Sequence, residues 1–298
     1  MKITIIGLGL IGGSLAKDLR KNKFATELIG VDNSKENAQT ALKTGLIDHI
    51  ETLEKGIKDT DIVIIAIPVD KELEMLPMIL DNISRNTTVI DMGSTKKMIV
   101  DSVKNHRSRK NFVAAHPMSG TENSGPVAAT EDLFRNKITI LCDQEDSGPQ
   151  HVALAEKMFQ TLGMNIAYMT SDEQDHSTAF VSHLPHAAAF ALANAVQSKK
   201  DRNIIFDLAS GGFRSTVRLA KSSYTMWHPI FQQNSKYVVE SLEVYIKYLN
   251  ELCDCMKNND SEKLKELIQN ANKIRGILDG ESPHLVKNEE TIVKLYTK

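Results

Sequence analysis

Lys2-Ile3-Thr4-Ile5-Ile6-Gly7-Leu8-Gly9-Leu10-Ile11-Gly12-Gly13-Ser14 decides how the rest of this 298-residue chain is read. Residues 2 to 6 are a β-branched, apolar run, the pattern of a buried strand. Leu10, Ile11, Leu15 and Leu19 then recur with helical spacing. A strand, a glycine turn and a helix start, in that order, are the context in which a G-x-G-x-x-G run has meaning. Gly7 permits the turn, Gly9 lets the backbone approach a pyrophosphate, and Gly12 lets helix and strand pack closely. The exposed N–H groups from Leu10 and Ile11 onward at the helix N-terminus then hold the anion. A purely structural glycine turn shows the same run, so the next strand decides between the two. Glu27 to Val31 end in Asp32, about 20 residues past Gly12, where an acid meets a ribose 2′-hydroxyl. Asp32 is followed by Asn33 rather than an arginine. That favours NAD over NADP, because a carboxylate repels a 2′-phosphate.

Working outward, Asp61 to Pro68 and Thr87 to Ile90 are apolar runs of the kind found in parallel sheets covered on both faces. Phe112 to Ala115 is another, and it delivers His116 into the turn Pro117-Met118-Ser119-Gly120-Thr121-Glu122. Ligands of such sheets bind beyond the carboxyl ends of the strands. Pro68, Ser94 and His116 each follow a strand of this type. Ser94 reads equally as a helix N-cap. Histidine titrates nearest neutral pH of all side chains, so His116 can take a proton there, although a loop-capping histidine looks the same in sequence. Lys137 to Leu141 and Met164 to Tyr168 are two more strands flanking a helix that starts near Gln150.

Strand signals stop at about Asp172, which divides the chain into residues 1–170 and 171–298. Ala179 to Val196 is apolar and alanine-rich, the pattern of a buried helix, and it carries Ser182-His183-Leu184-Pro185-His186. Two histidines and a proline inside an apolar helix need a reason. No third ligand accompanies them, so a metal is not expected. Arg214 and Arg218 stand four apart, on one helix face, where they would clamp a carboxylate or lie in solvent. Trp227 is the only tryptophan and reads as core on its own. Val238 to Met256 and Leu264 to Leu278 are amphipathic helices, and a short polar tail follows Gly280.

Composition bounds the rest. A net charge of -2 gives no basic surface for nucleic acid. Cys142, Cys253 and Cys255 make neither a metal motif nor a disulfide framework, which fits a reducing cytoplasm. Glycines break the first apolar run, so it is not expected to act as a signal peptide. No later run reads as long enough to span a bilayer. The fold class expected is α/β, a Rossmann-type dinucleotide-binding domain followed by an all-helical domain. Long apolar faces in the helical part predict a homodimer built through it.

Gly-Leu-Gly-Leu-Ile-Gly-Gly-Ser, Asp-Met-Gly-Ser-Thr-Lys, His-Pro-Met-Ser-Gly-Thr-Glu, Ser-His-Leu-Pro-His and Gly-Gly-Phe with a following Thr-x-Arg together resemble the prephenate/arogenate dehydrogenases of tyrosine biosynthesis. The resemblance runs over nearly the whole chain. It implies NAD-dependent oxidative decarboxylation of prephenate to 4-hydroxyphenylpyruvate, with arogenate, the amino-acid analogue, as the alternative substrate. It matches His116 to the family's catalytic histidine and Ser94 to a serine that engages substrate and nicotinamide. Ser182, His186, Arg218, Ser222 and Trp227 fall where the family lines its substrate pocket, and Glu122 lies near the mouth. Unlike larger members, the sequence shows no fused chorismate mutase segment and no room for a regulatory domain, so the resemblance implies nothing about control by tyrosine. A 3-hydroxyacid dehydrogenase would share both halves but would rely on a lysine from a second-domain helix. A non-enzymatic NAD-binding protein would need only Gly7 to Asp32.

Overall fold

The computed structural model describes residues 1–278; the tail after Gly280 lies outside them. Eight strands form one sheet in the order β3-β2-β1-β4-β5-β6-β7-β8. They are β1 (Lys2–Ile6), β2 (Glu27–Val31), β3 (His49–Ile50), β4 (Ile62–Ile65), β5 (Thr88–Asp91), β6 (Phe112–Pro117), β7 (Ile138–Cys142) and β8 (Asn165–Met169). The first six run parallel, in the strand order of a dinucleotide-binding sheet. β7 turns back antiparallel to β6, and β8 follows β7 in parallel. That reversal is a departure from the all-parallel pattern that the apolar runs suggest. Every residue of β4 is buried, as a central strand covered on both faces requires.

The strand order reverses between β1 and β4, and the glycine loop and Pro68 both lie at that switch point, just beyond the strand ends. Helices Leu10–Lys21, Lys35–Lys43, Val69–Asn82, Lys97–Val103 and Pro149–Thr161 make the crossovers. Two apolar layers result. One is built on Ile3, Ile5, Leu15, Leu19 and Phe159, the other on Ile65, Leu76, Ile79, Val89 and Trp227.

Beyond Thr170 only helices follow among the described residues. The compact unit nevertheless runs on to Ser235, and a second unit starts at Lys236. Within the first unit, helix Ser171–Thr178 packs on β7 and β8, and helix Tyr224–Gln233 packs on Val69–Asn82. In the second unit, described as far as residue 278, Val239, Ile246, Tyr248 and Leu249 are exposed apolar residues of helix Ser235–Lys257.

Helix Ser171–Gln197 is continuous over 27 residues, with a mean hydropathy of 1.2 in its most apolar window. By length and composition alone it could cross a membrane, which corrects the expectation that no such run exists. Gln174, Asp175 and His183 on it are nonetheless buried in polar contact with the first unit. The helix widens to a π-turn over Ala179–His183, where the Leu184 N–H donates to the Ala179 carbonyl five residues back. Pro185 opens the next α-segment, Leu184–Gln197. A proline has no N–H to give, and the wide turn absorbs it. The sequence reading expects a buried helix here. In the chain by itself only Ala189 of Leu184–Gln197 is buried.

Candidate active site

The nucleotide side of the site is made of backbone. Gly7 has φ +93°, and a Cβ there would lie 2.3 Å from the Ala66 carbonyl oxygen. At Gly12 a Cβ would lie 1.9 Å from the Gly7 carbonyl oxygen, so helix and loop touch directly. A Cβ on Gly9 meets nothing within 4 Å, which leaves open space over the loop. Helix Leu10–Lys21 has neither a side-chain cap nor an acidic residue in its first turn, so its N–H groups stay available to an anion. Asp32 accepts from the Leu8 N–H at 2.8 Å and the Ser34 N–H at 2.8 Å. It thus ties the glycine loop to the end of β2 and keeps lone pairs for a ribose hydroxyl. An open cradle, a free helix N-terminus and an acid at the end of β2 fit NAD.

The catalytic side is made of side chains. His116 lies on β6 with 7% of its surface exposed. Its Nδ1 is 2.8 Å from Gln174 Nε2, which also donates to the Ser94 carbonyl at 3.2 Å. Burial pushes the His116 pKa down to about 3, helped by the nearby Lys96 cation and by His183. The ring is therefore neutral at physiological pH. Beneath it, Asp91 accepts from the Ala115 N–H at 2.7 Å and pairs with the fully buried Lys96. Glu72 completes this cluster. Burial first, and then the Asp91 charge, raise its pKa well above the carboxylate range.

Ser94 is not an N-cap. Asp175 does that work for helix Lys97–Val103, accepting from the Lys96 N–H at 2.8 Å and the Lys97 N–H at 3.0 Å. Among the described residues the Ser94 hydroxyl takes no hydrogen-bond partner, so it is free for a ligand.

Next to His116 stands an aromatic group. His183 meets Trp227 edge-on at 5.9 Å, and His186 stacks on Trp227 at 3.5 Å between ring centroids. Trp227 is therefore core, with both imidazoles packed on it. The His186 Nδ1–H donates to the Ser182 carbonyl at 2.9 Å. Burial lowers the pKa of both histidines, His183 to about 4. The His183 Nε2, the Trp227 Nε1 and the Gln174 Oε1 are buried without partners among the described residues. Orphaned polar atoms of this kind mark where a polar ligand completes the bonding.

Arg218 reaches Glu122 at 2.7 Å. It does not share a helix face with Arg214, because helix Gly211–Thr216 ends first and Arg218 opens a separate 3-10 turn. Ser222 ends that turn, its N–H bonded to the Leu219 carbonyl. No hydrogen bond among the described residues ties it to the cluster. Gln174, Asp175, Glu72 and Asn234 escaped the sequence reading, and Asp91 and Lys96 entered it only as the ends of the motif Asp-Met-Gly-Ser-Thr-Lys, with no role assigned. The one signal for Gln174 and Asp175 is their position one turn after a capping box at Thr170 and Glu173. A separate cavity of about 460 Å3, lined by Arg85, Arg107, Lys110 and His151, lies at the amino ends of β5 and β6, away from this chemistry.

A Rossmann sheet whose glycine cradle lies open, with a neutral, buried histidine at the end of a nearby strand, is the framework of an NAD-dependent oxidoreductase. The nucleotide-binding domain of prephenate dehydrogenase matches residues 15–168, and the prephenate dehydrogenase dimerization domain matches residues 170–270. The chain belongs to the prephenate dehydrogenase family. It is 34% identical to prephenate dehydrogenase of Bacillus subtilis (strain 168), over 92% of this chain and 76% of that protein. The structure of prephenate dehydrogenase from A. aeolicus with hydroxyphenyl propionate and NAD+ is similar at 31% identity. It has a TM-score of 0.86, covering 94% of this chain and 99% of that one. Synechocystis arogenate dehydrogenase is similar at 29% identity and TM-score 0.74, covering 95% and 100%.

Proposed function

We propose that the chain oxidises prephenate with NAD, releasing carbon dioxide and 4-hydroxyphenylpyruvate. The observation that carries this reading is the meeting of His116 and Ser94 at neighbouring strand ends on the cofactor side of the sheet, with the orphaned polar atoms beside them. NAD, when bound, supplies the hydride acceptor. The chain's residues do the rest. Gly7, Gly9, Leu10, Ile11 and Gly12 cradle the pyrophosphate, Asp32 holds the ribose, and Pro68 borders the switch point. His116, held neutral by burial, takes the proton from the substrate's C4 hydroxyl, and Ser94 positions that hydroxyl. A placed base of this kind contributes ~10²–10⁴-fold. Loss of hydride leaves a dienone that draws electrons from the breaking bond to the ring carboxylate, and aromatisation drives the sequence forward.

The substrate is a dicarboxylate. Arg218 takes one carboxylate, leaving Glu122 to do so, and His186, Ser182 and Ser222 complete the pocket on Trp227. A second copy covers the apolar faces of the helical part. The matched dimerization domain and the exposed Val181, Leu208 and Tyr224 support a homodimer, and light scattering at micromolar concentration tests it.

The deciding assay follows NADH absorbance with prephenate and, separately, with arogenate. Turnover of prephenate with release of 4-hydroxyphenylpyruvate supports the reading. Turnover of arogenate alone replaces the keto acid by the amino acid, and turnover of neither refutes the assignment.

A further inference from the structure

We propose that Gln174 is a positioning residue that decides which nitrogen of His116 carries its proton, holding the free enzyme in the Nε2–H tautomer. The inference rests on the reading of His116 as the base.

Gln174 is fully buried, and its amide nitrogen faces His116 Nδ1 at 2.8 Å, the Ser94 carbonyl oxygen at 3.2 Å and, at the longest reach, the Thr178 hydroxyl at 3.4 Å. A carbonyl oxygen only accepts, so the N–H side of the amide must face Ser94. An amide nitrogen has no lone pair to accept with, so at 2.8 Å, the shortest of its three contacts, it gives a hydrogen to His116, and Nδ1 is the acceptor. In a neutral ring the single proton then sits on Nε2. Asn234 treats the other buried histidine alike. Its Nδ2 donates to the Asp175 carbonyl at 2.7 Å and meets His183 Nδ1 at 3.1 Å. Adjacent residues, Gln174 and Asp175, thus anchor both arrangements, one by its side chain and one by its backbone.

The consequence for chemistry is specific. An Nε2–H ring donates to a hydroxyl oxygen but has no lone pair there to receive a proton. Base action at Nε2 requires the other tautomer, in which a proton leaves Nε2 and one joins Nδ1 with no change of net charge. Gln174 already holds the acceptor for that form, because its Oε1 is buried without a partner among the described residues. Turning the amide would give Nδ1–H its acceptor. It would also set Oε1 against the Ser94 carbonyl, acceptor against acceptor. The Ser94 backbone is thus the element that must move before His116 becomes a base. Ser94 stands where the nicotinamide is expected, which ties the readiness of the base to the loaded site.

The test reads the tautomer directly. Protein carrying ring-15N histidine is examined without NAD near pH 7 by long-range 1H–15N correlation, and the His116 signals are assigned by their loss in His116→Asn. The expected spectrum shows Nδ1 as an acceptor nitrogen and Nε2 as an N–H nitrogen; the reverse pattern overturns the proposal. Gln174→Leu removes the donor and should let the two tautomers average. Gln174→Glu, acceptor-only when ionised, should reverse them. A pure Nε2–H signal retained in Gln174→Leu would take the role away from Gln174. Should either variant not fold, the wild-type spectrum decides alone. Failure of the base reading is separate, since it would show as normal turnover in His116→Asn whatever the tautomer.

Discussion

The glycine loop and the histidine cluster serve one sheet from the same end, and they are assembled in opposite ways. The loop is local and made of backbone. Its longest tie joins Leu8 to Asp32, 24 residues apart. The cluster is non-local and made of side chains. Gln174 reaches His116 across 58 residues, Asp175 reaches Lys96 across 79, and Arg218 reaches Glu122 across 96. Backbone sites tolerate most substitutions except at the glycines, where a Cβ intrudes. Side-chain sites exist only once distant pieces have docked and water has left, so their properties belong to the fold rather than to the residues.

The largest effect should fall on the non-local side. His116→Asn keeps a hydrogen-bonding group but cannot take a proton, and kcat should drop ~10²–10⁴-fold with KM little changed. Near-normal turnover with the same pH profile would move the base elsewhere. Balanced effects of burial and of substrate charge would hold the His116 pKa near the imidazole value. The structure instead lets burial win, with Lys96 adding to it and the pKa at about 3. The acid limb of kcat/KM, which reports the free enzyme, should therefore lie well below pH 6. Stability carries the same sign. Below pH 6.5 the unfolded chain binds a proton that folded His116 refuses, so its contribution is present above 6.5 and is lost as pH falls towards 3. The slope is at most ~1.4 kcal/mol per pH unit. Acid unfolding of His116→Asn should be flatter by that amount, and equal slopes would mean that His116 is not buried in the folded protein.

Arg218→Ala comes next. Loss of a charge-assisted pair to a substrate carboxylate should raise KM by an amount equivalent to ~1.5–3 kcal/mol. Arg218→Lys should recover part of it, because a point charge replaces a planar fork. Glu122 occupies Arg218 at 2.7 Å, so substrate must displace it, and Glu122→Gln should lower KM. Unchanged KM in both Arg218 variants would return the residue to the solvated surface.

On the local side, Gly12 and Gly9 should separate. A Cβ at Gly12 would stand 1.9 Å from the Gly7 carbonyl oxygen, and overpacking of this kind costs ~1–3 kcal/mol. Gly12→Ala should thus lower the thermal midpoint, whereas Gly9→Ala, whose Cβ points into open space, should fold normally and bind NAD more weakly. Normal NAD titration of Gly9→Ala would remove the pyrophosphate from that spot.

These contrasts explain what could be read from the amino-acid sequence. Gly7, Gly12 and Asp32 were legible because turn, close approach and acid are set within one βαβ unit. His116 was legible as a histidine at a strand end, but its neutrality was not, since that depends on Lys96 and on burial beneath helix Ser171–Thr178. Gln174 is an amide with no chemistry until it meets Nδ1. Ser94 was ambiguous with a helix cap until Asp175, far along the chain, was found capping instead. The reversal of β7 was hidden because an apolar run looks the same in either direction.

The smallest effect expected is on cofactor choice, and it sharpens the local side furthest. NAD should be preferred over NADP because the Asp32 carboxylate would face the 2′-phosphate. The obvious variant, Asp32→Ala, confounds two things. Asp32 also accepts from Leu8 and Ser34, so alanine would leave two N–H groups unpaired and loosen the glycine loop itself. Asp32→Asn removes the charge and keeps one carbonyl acceptor. Like charges about 4 Å apart in water repel by ~1 kcal/mol. The NAD-over-NADP ratio of kcat/KM should therefore shrink roughly fivefold in Asp32→Asn, with the thermal midpoint nearly held. Asp32→Ala should narrow the ratio too, but with a clear loss of stability. A ratio unmoved in Asp32→Asn would leave Asp32 as a strut for the loop and hand cofactor choice to another residue.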